Sequence, residues 1–497
     1  MKSRWRRQLS QKPFRPLALW LLMAVLALLV GACDTGPAPT PSPTPPPPTA
    51  TAEATATLTL APTATPVPPT VTPTIPPTAA PTATQARPTT PPVALTGAGL
   101  ISAQVPPQMA KDKCGDFQRD GFTVTALWVE RGEVDKGGGR YDWTSLDAQV
   151  NELRNCNVEV MLHVQAKMGE ARVPANMDDY MRYLTEFVKH LKGRVRRYSI
   201  ENEAVGSQNW PSTPESYFSM LDRAYTTIKA ADPSALVENS GISSEAFGFA
   251  WAYNLYQAGQ QQQALTVSQQ TLAEGVAGLK TNSPTSVNSL DAFWKTALVS
   301  RGLAWWPLLL KHQASIDVFQ YHYYGPWENL PLLLRWLRAQ GITKPIEGWE
   351  VARRYHGQVA FDETFHAQET VKLLVSAAGE GSQVSLFMRY ADWSENNLPG
   401  LLMPQGTPRP VETAFRMITQ NLAGYTAASF VDLGPAAWGY RFSRPQGDVV
   451  VVWATGNPTT VKLPIQGRSV QVTDITGKTS TADPANLAVS ASPIFVQ

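Results

Sequence analysis

Two glutamates stand where a chain can do acid and base work on a single bond. Glu203 closes the run Arg197-Tyr198-Ser199-Ile200-Glu201-Asn202-Glu203, and Glu350 closes Lys344-Pro345-Ile346-Glu347-Gly348-Trp349-Glu350. Each follows a short strand-like run. If those runs are parallel strands of one barrel, their C-terminal ends meet at one rim, and carboxyls 147 residues apart in sequence flank the same bond. A pair of that kind is the apparatus of glycosidic bond cleavage. The dipeptide Asn202-Glu203 is weak by itself, since Asn-Glu recurs by chance, as at Asn151-Glu152 on a helix face. Its place at the end of a strand-like run separates it.

The elements that must position the pair can be read from periodicity. From about Leu100 to Leu422 short apolar runs alternate with longer amphipathic ones, the signature of repeated βα units on a parallel sheet. Eight strands are expected: 99–103, 123–129, 158–164, 197–200, 235–238, 317–322, 345–349 and 384–389. Two helices are especially clear. In 177–192, Tyr180, Leu184, Phe187, Val188 and Leu191 share a face. In the other, Ser212 or Thr213 caps the start, Pro214 fills the first turn and Asp232-Pro233 stops it. The stretch 241–315 reads as a βα insertion whose Gln-rich centre, 257–270, packs loosely over the rim. After Leu422 short strands with turns at Gly447-Asp448 and Gly456-Asn457-Pro458 suggest a small β-sandwich on the barrel.

The ends of the chain bear on its location. Lys2, Arg4, Arg6, Arg7, Lys12 and Arg15 precede the apolar run 17–30, the pattern of an export signal over residues 1–32. Without those six, 36 basic residues face 40 acidic ones, a net charge of −4. No basic run remains to suggest a nucleic-acid partner. Residues 34–92 hold 19 of the 42 prolines, with Thr and Ala making up most of the rest. Such a composition buries no core, so 33–96 is expected to be a disordered, extended stalk, reaching at most about 3.1 Å per residue. Of the two remaining thiols, Cys114 and Cys156, the sequence allows either a disulfide or two buried free cysteines; neither their number nor their spacing supports a metal site.

Two resemblances sharpen this reading. Val30-Gly31-Ala32-Cys33 resembles the lipobox of bacterial lipoproteins, which implies cleavage before Cys33, lipidation there and a membrane anchor on the extracellular face; an ordinary signal would leave a secreted protein. Gly139-Arg140-Tyr141-Asp142-Trp143-Thr144-Ser145-Leu146-Asp147, Lys229 to Ala235, His322-Tyr323-Tyr324-Gly325, and Gly400-Leu401-Leu402 with Pro408-Arg409-Pro410 follow one another as in the retaining glycoside hydrolases of clan A, nearest to families 39 and 5. The resemblance implies Glu203 as general acid/base, Asn202 on the sugar 2-hydroxyl, Tyr324 bonded to the nucleophile and Trp393 as a sugar platform. It also implies Glu350 as nucleophile, by its spacing from Pro345; Glu347 competes. A general acid must be protonated near neutral pH, so the pKa of Glu203 is expected to be raised by burial and by the anionic nucleophile. The pattern departs from the clan at Ala204, where Pro is usual, and at Trp349, where Thr is usual.

Rim aromatics suited to flat sugar faces are Trp128, Trp210 and Trp327, and Glu130, His163 and His322 are candidates for hydroxyl contacts. The expected architecture is an α/β (β/α)₈ TIM barrel over 97–425 with a β-sandwich over 426–497. The expected function is retaining hydrolysis of β-linked oligo- or polysaccharide outside the cell, by a monomer needing no cofactor or metal. The alternative is a surface carbohydrate-binding protein with decayed catalysis on the same fold.

Overall fold

The computed structural model describes residues 93–95, 97–275, 283–355, 361–392 and 398–497. The signal segment, Cys33, most of the stalk and Trp393 lie outside the described residues. Eight parallel strands form, each overlapping one expected run: β1 (Leu100–Ala103), β2 (Val124–Glu130), β3 (Glu159–Gln165), β4 (Arg197–Ile200), β5 (Leu236–Glu238), β6 (Phe319–Tyr323), β7 (Ile346–Val351) and β8 (Ser382–Phe387). β2 to β5 pair in sequence, and so do β6, β7, β8 and β1. Bridges from Glu238 to Val318 and from Ile242 to Tyr321 join one set to the other. On the far side Ser102 Oγ donates to the Val124 carbonyl at 2.6 Å, and Val105 N–H donates to Thr125 Oγ1 at 3.0 Å. The ring so closed is a (β/α)₈ barrel. Because strand side chains alternate, one set fills the interior, where Val124, Ala126, Met161, Trp349, Val384 and Leu386 pack together.

The helices are α1 (Pro107–Arg119), α2 (Thr144–Asn155), α3 (Met177–Leu191), α4 (Pro214–Ala231), α5 (Ser244–Gln257), α6 (Gln261–Gly275), α7 (Ala297–Lys311), α8 (Asn329–Ala339), α9 (Glu363–Gly379) and α10 (Pro410–Leu422), with single turns between some of them. On α3 the expected apolar face is buried, and Asn176 caps its start. Thr213 rather than Ser212 caps α4, accepting from Ser216 N–H. Cys114 of α1 and Cys156, just past α2, form a disulfide with Cα atoms 5.0 Å apart. Closing a loop of that length stabilises the fold by about 4 kcal/mol through the unfolded state.

The insertion differs from its expectation. Its Gln-rich centre is helix α6, which packs on α5 and buries Ala264, Leu265, Val267 and Leu272, while α7 packs against α4 and α5 in the outer layer. Those apolar residues recur at helical spacing and outweigh the polar glutamines around them.

Beyond the barrel lies an antiparallel sheet containing β9 (Ala427–Val431), β10 (Ala437–Ser443), β11 (Val449–Ala454), β13 (Val470–Asp474), β14 (Thr479–Ala482) and β16 (Ile494–Val496). The short pair β12 (Thr459–Val461) and β15 (Leu487–Val489) faces it, and the valines between them form a second core. Val93–Ala94, within the run expected to be stalk, pairs with β9 at the edge of the large sheet.

Candidate active site

Past Ile200 the chain leaves β4 in a strained turn. Glu201 and Glu203 both have positive φ, 68° and 44°, which costs a residue bearing a Cβ roughly 1–2 kcal/mol. Fixed partners hold the turn. The Glu201 carboxyl accepts Ala166 N–H at 2.7 Å, Glu203 N–H donates to the Ser240 carbonyl, and Ala204 N–H donates to Ser240 Oγ at 3.2 Å. Arg301 reaches in from α7 and donates to the carbonyls of Val205 (2.6 Å), Ser212 (2.7 Å), Trp210 (2.8 Å) and Ala204 (3.2 Å). The insertion thus braces the loop that carries Glu203. Burial pushes the Glu201 carboxyl up to about 8, so it serves as a neutral acceptor behind the strand rather than as a second charge in the site.

The facing wall comes from β6 and β7. His322 is fully buried, and the Nε2 amine of Gln320 donates to its Nε2 at 3.2 Å, which leaves the ring proton on Nδ1. Nδ1 lies 3.0 Å from Glu203 Oε1 and 3.4 Å from Glu350 Oε2. Gly241 lies against this ring with φ 71°, and any Cβ there would run into the imidazole. The hydroxyl of Tyr324, just past β6, donates to Glu350 Oε2. The Arg354 guanidinium sits 4.6 Å from the centre of the Tyr324 ring.

Strict alternation would put Glu347 and Glu350 on opposite faces of β7. A bulge prevents this: Tyr321 pairs with Gly348 and His322 with Glu350, so Trp349 is the extra residue. Glu347 and Trp349 then lie in the barrel interior, and Glu350 faces His322 at the mouth. Glu347 is fully buried, ion-paired to Arg197 Nε at 3.3 Å and bonded by the Trp349 indole N–H at 2.9 Å. It is spent on a structural ion pair, and Glu350 is the one beside Glu203.

The charge balance differs from expectation. Burial would raise Glu203, but the hydrogen bond and charge of His322, with Arg354, together hold it below the ordinary carboxylate range, whereas burial and the adjacent Glu203 push Glu350 up. Strongly interacting carboxyls titrate as a pair, and in the resting pair the proton favours Glu350. The cause is geometric: Nδ1–H lies closer to Glu203 than to Glu350. His163 is kept neutral, its pKa well below the ordinary range through burial and through His322.

Of the other candidates, Asn202 adjoins Glu203 with its Oδ1 buried and unpartnered among the described residues. Trp128 stacks on His163, ring centres 5.0 Å apart and planes 9° apart, at the partly open end of β2. Two candidates are not rim residues. Trp210 is fully buried and bonded to Ser216 Oγ at 3.0 Å. Trp327 is buried edge-on against Trp438 and Trp453 of the C-terminal sheet, at 5.6 and 5.1 Å. Glu130 does end β2 at the rim, half-exposed and paired with Lys167 at 2.6 Å. Apolar bulk decides the first two, since an indole gains more from burial than from a place in water. Gln320, Arg301, Gly241 and Arg354 escaped the sequence reading; only Gln320, two residues before His322 on one strand face, carried a readable signal.

No protein-family profile matches the chain, and no curated protein sequence does. Solved structures do. A family 39 glycoside hydrolase from Bacteroides cellulosilyticus WH2 aligns over 80% of both chains at 14% identity and a TM-score of 0.56. A glucosidase from Croceicoccus marinus aligns over 82% of this chain and 96% of its own, at 12% identity and 0.52. A monomeric β-xylosidase from Caulobacter crescentus CB15 aligns over 81% and 97%, at 13% identity and 0.50. At these identities the likeness establishes the shared fold.

Proposed function

We propose that the chain is a glycoside hydrolase that cleaves β-linked oligo- or polysaccharide with retention of configuration. The observation that carries the proposal is the pair of oxygens, from Glu203 and Glu350, on one imidazole nitrogen at 3.0 and 3.4 Å. Oxygens that share one nitrogen belong to neighbouring carboxyls, and the closer the pair, the less room is left for the water that an inverting mechanism places between base and sugar. Glu350 attacks the anomeric carbon as the bond to the leaving oxygen breaks and Glu203 gives that oxygen its proton. Water then attacks the same carbon, loses a proton to Glu203, and releases the sugar from Glu350. A sugar seated between the carboxyls must draw the pair's proton to Glu203, since only Glu203 faces the leaving oxygen, while Tyr324 and Arg354 keep Glu350 ionised. Asn202 Oδ1 accepts from the sugar 2-hydroxyl. The glycosidases of the same fold named above support this class of reaction and leave the sugar open.

In the test, a panel of aryl β-xylosides, glucosides and mannosides is turned over by the wild type, and Glu203→Gln and Glu350→Gln each lower kcat on the natural glycan by at least about a thousandfold. Sugar binding with no turnover of any glycoside would contradict the proposal. We further read the chain as a monomer exported and lipid-anchored at Cys33. Cys33→Ala should release it from the membrane fraction, and a variant that stays there would contradict the anchor.

A further inference from the structure

Among the described residues one group of three imidazole, thiol or carboxylate side chains has ligand atoms close enough to share an ion: His163, His322 and Glu350, all buried, within 4.8 Å of one another. A second observation points the same way, for Nε2 of the wholly buried His163 has no hydrogen-bond partner among the described residues. A buried imidazole nitrogen left without a partner is costly. We propose that this group is a binding site for a divalent transition-metal ion, Zn²⁺ first, and that the ion blocks the mouth of the barrel.

Two neutral imidazoles and one carboxylate, with a fourth position open, form the donor set of mononuclear zinc sites, and imidazole selects zinc, copper or nickel over magnesium and calcium. Tetrahedral bonds of about 2.0–2.1 Å put ligand atoms roughly 3.4 Å apart. His322 Nδ1 and Glu350 Oε2 already stand at 3.4 Å, so the closure required falls mainly on His163. Its ring is held by the stack on Trp128 and lies edge-on to His322 at 5.9 Å. Glu203 Oε1, 3.0 Å from His322 Nδ1, is placed to take the fourth position in exchange for its present hydrogen bond. An ion there takes the place of the His322 Nδ1 proton: the neutral ring then carries its proton on Nε2, where the Gln320 amide, turned to present its oxygen, accepts it, and the ion fills the space between the carboxyls. It is an inhibitor of the proposed reaction and not a cofactor for it.

The site is tested on the full chain after chelator treatment, without sugar, so that its failure is separate from failure of the hydrolase reading. Titration with Zn²⁺ by calorimetry should show one ion per chain, and Co²⁺ should give the intense visible absorption of a four-coordinate site. His163→Ala and Glu350→Gln should each weaken Zn²⁺ at least tenfold, while the surface variant His190→Ala should not. His163→Gln, which keeps the bulk of the ring, covers the case in which alanine does not fold. Absence of stoichiometric Zn²⁺ binding by the wild type, or undiminished binding by the folded His163 variant, would overturn the proposal. Stoichiometric binding by a chain that hydrolyses no glycoside would sustain the metal site and remove the hydrolase.

Discussion

Replacing Tyr324 with phenylalanine removes one oxygen and little else. The ring is buried at 5% exposure and lies under the Arg354 guanidinium, and both features survive the change. What is lost is the hydroxyl that donates to Glu350. Burial and the two carboxyls push the Tyr324 pKa well above its ordinary value, so the phenol remains a donor at any working pH. A hydrogen bond to a charged group is worth about 1.5–3 kcal/mol, which at 1.36 kcal/mol per decade is roughly a ten- to hundredfold fall in kcat. The sign of the pH effect follows from the same bond. It lowers the pKa of Glu350; its loss raises that pKa, and because Glu350 holds the pair's proton in the free enzyme and is the last of the two to ionise, the alkaline limb of kcat/KM moves to higher pH. Steady-state kinetics on an aryl glycoside from pH 4 to 9, beside a melting curve, reads both quantities. A Tyr324→Phe enzyme with wild-type kcat and an unmoved alkaline limb, or one that only melts earlier, would refute the role assigned to this bond.

Arg301→Ala should lower kcat about tenfold or more with KM little changed, because its four backbone bonds hold the loop that follows Glu203; Arg301→Lys should restore part of the loss, and equal losses in both would count against the fork geometry. Gly241→Ala forces a Cβ into His322 from a left-handed backbone, so activity should fall with a melting loss on the order of 2 kcal/mol; an unaffected enzyme would show the ring free to retreat. Glu369 is buried, accepts Trp327 N–H at 2.9 Å, and is pushed up to about 7 chiefly by burial and then by Glu328, against Arg353 and Lys372. A carboxyl raised in the folded state contributes stability that is full below its unfolded value and lost as pH climbs through its folded one. The melting temperature of the wild type relative to Glu369→Gln should therefore fall between about pH 4.5 and 8, by the equivalent of about 3 kcal/mol. A flat difference would place that carboxyl in water.

The barrel was legible because its signal is repeated. Eight short apolar runs separated by amphipathic helices allow few other folds, and caps such as Thr213-Pro214 mark helix starts within a residue. The candidate site was legible as residue types but not as geometry. Nothing in Ile346-Glu347-Gly348-Trp349-Glu350 announces a bulge, since a bulge depends on the register of two neighbouring strands, yet it decides that Glu350 rather than Glu347 meets Glu203. The left-handed turn at Glu201 and Glu203 is equally silent in sequence, because it rests on Ser240, Ala166 and Arg301, which come from three other segments. Trp327 and Trp210 show the limit of reading aromatics by position near a rim: the C-terminal sheet buries Trp327 through a contact distant in sequence, and Trp210 turns inward and bonds to Ser216 in the first turn of α4. Which carboxyl holds the proton could not be read either, since it turns on a few tenths of an ångström at His322 Nδ1.

The central claim is that Glu350 forms a covalent bond to the sugar while Glu203 moves the proton. A 2-fluoro glycoside with an activated leaving group, chosen from the sugar that the wild type turns over, slows release of the intermediate enough to isolate it, and mass spectrometry of the digested protein locates the added mass. One sugar on Glu350, absent from Glu350→Gln and still formed by Glu203→Gln, is the predicted result. A label on Glu347 or Glu203, or turnover with no label and an inverted anomeric product, would contradict it.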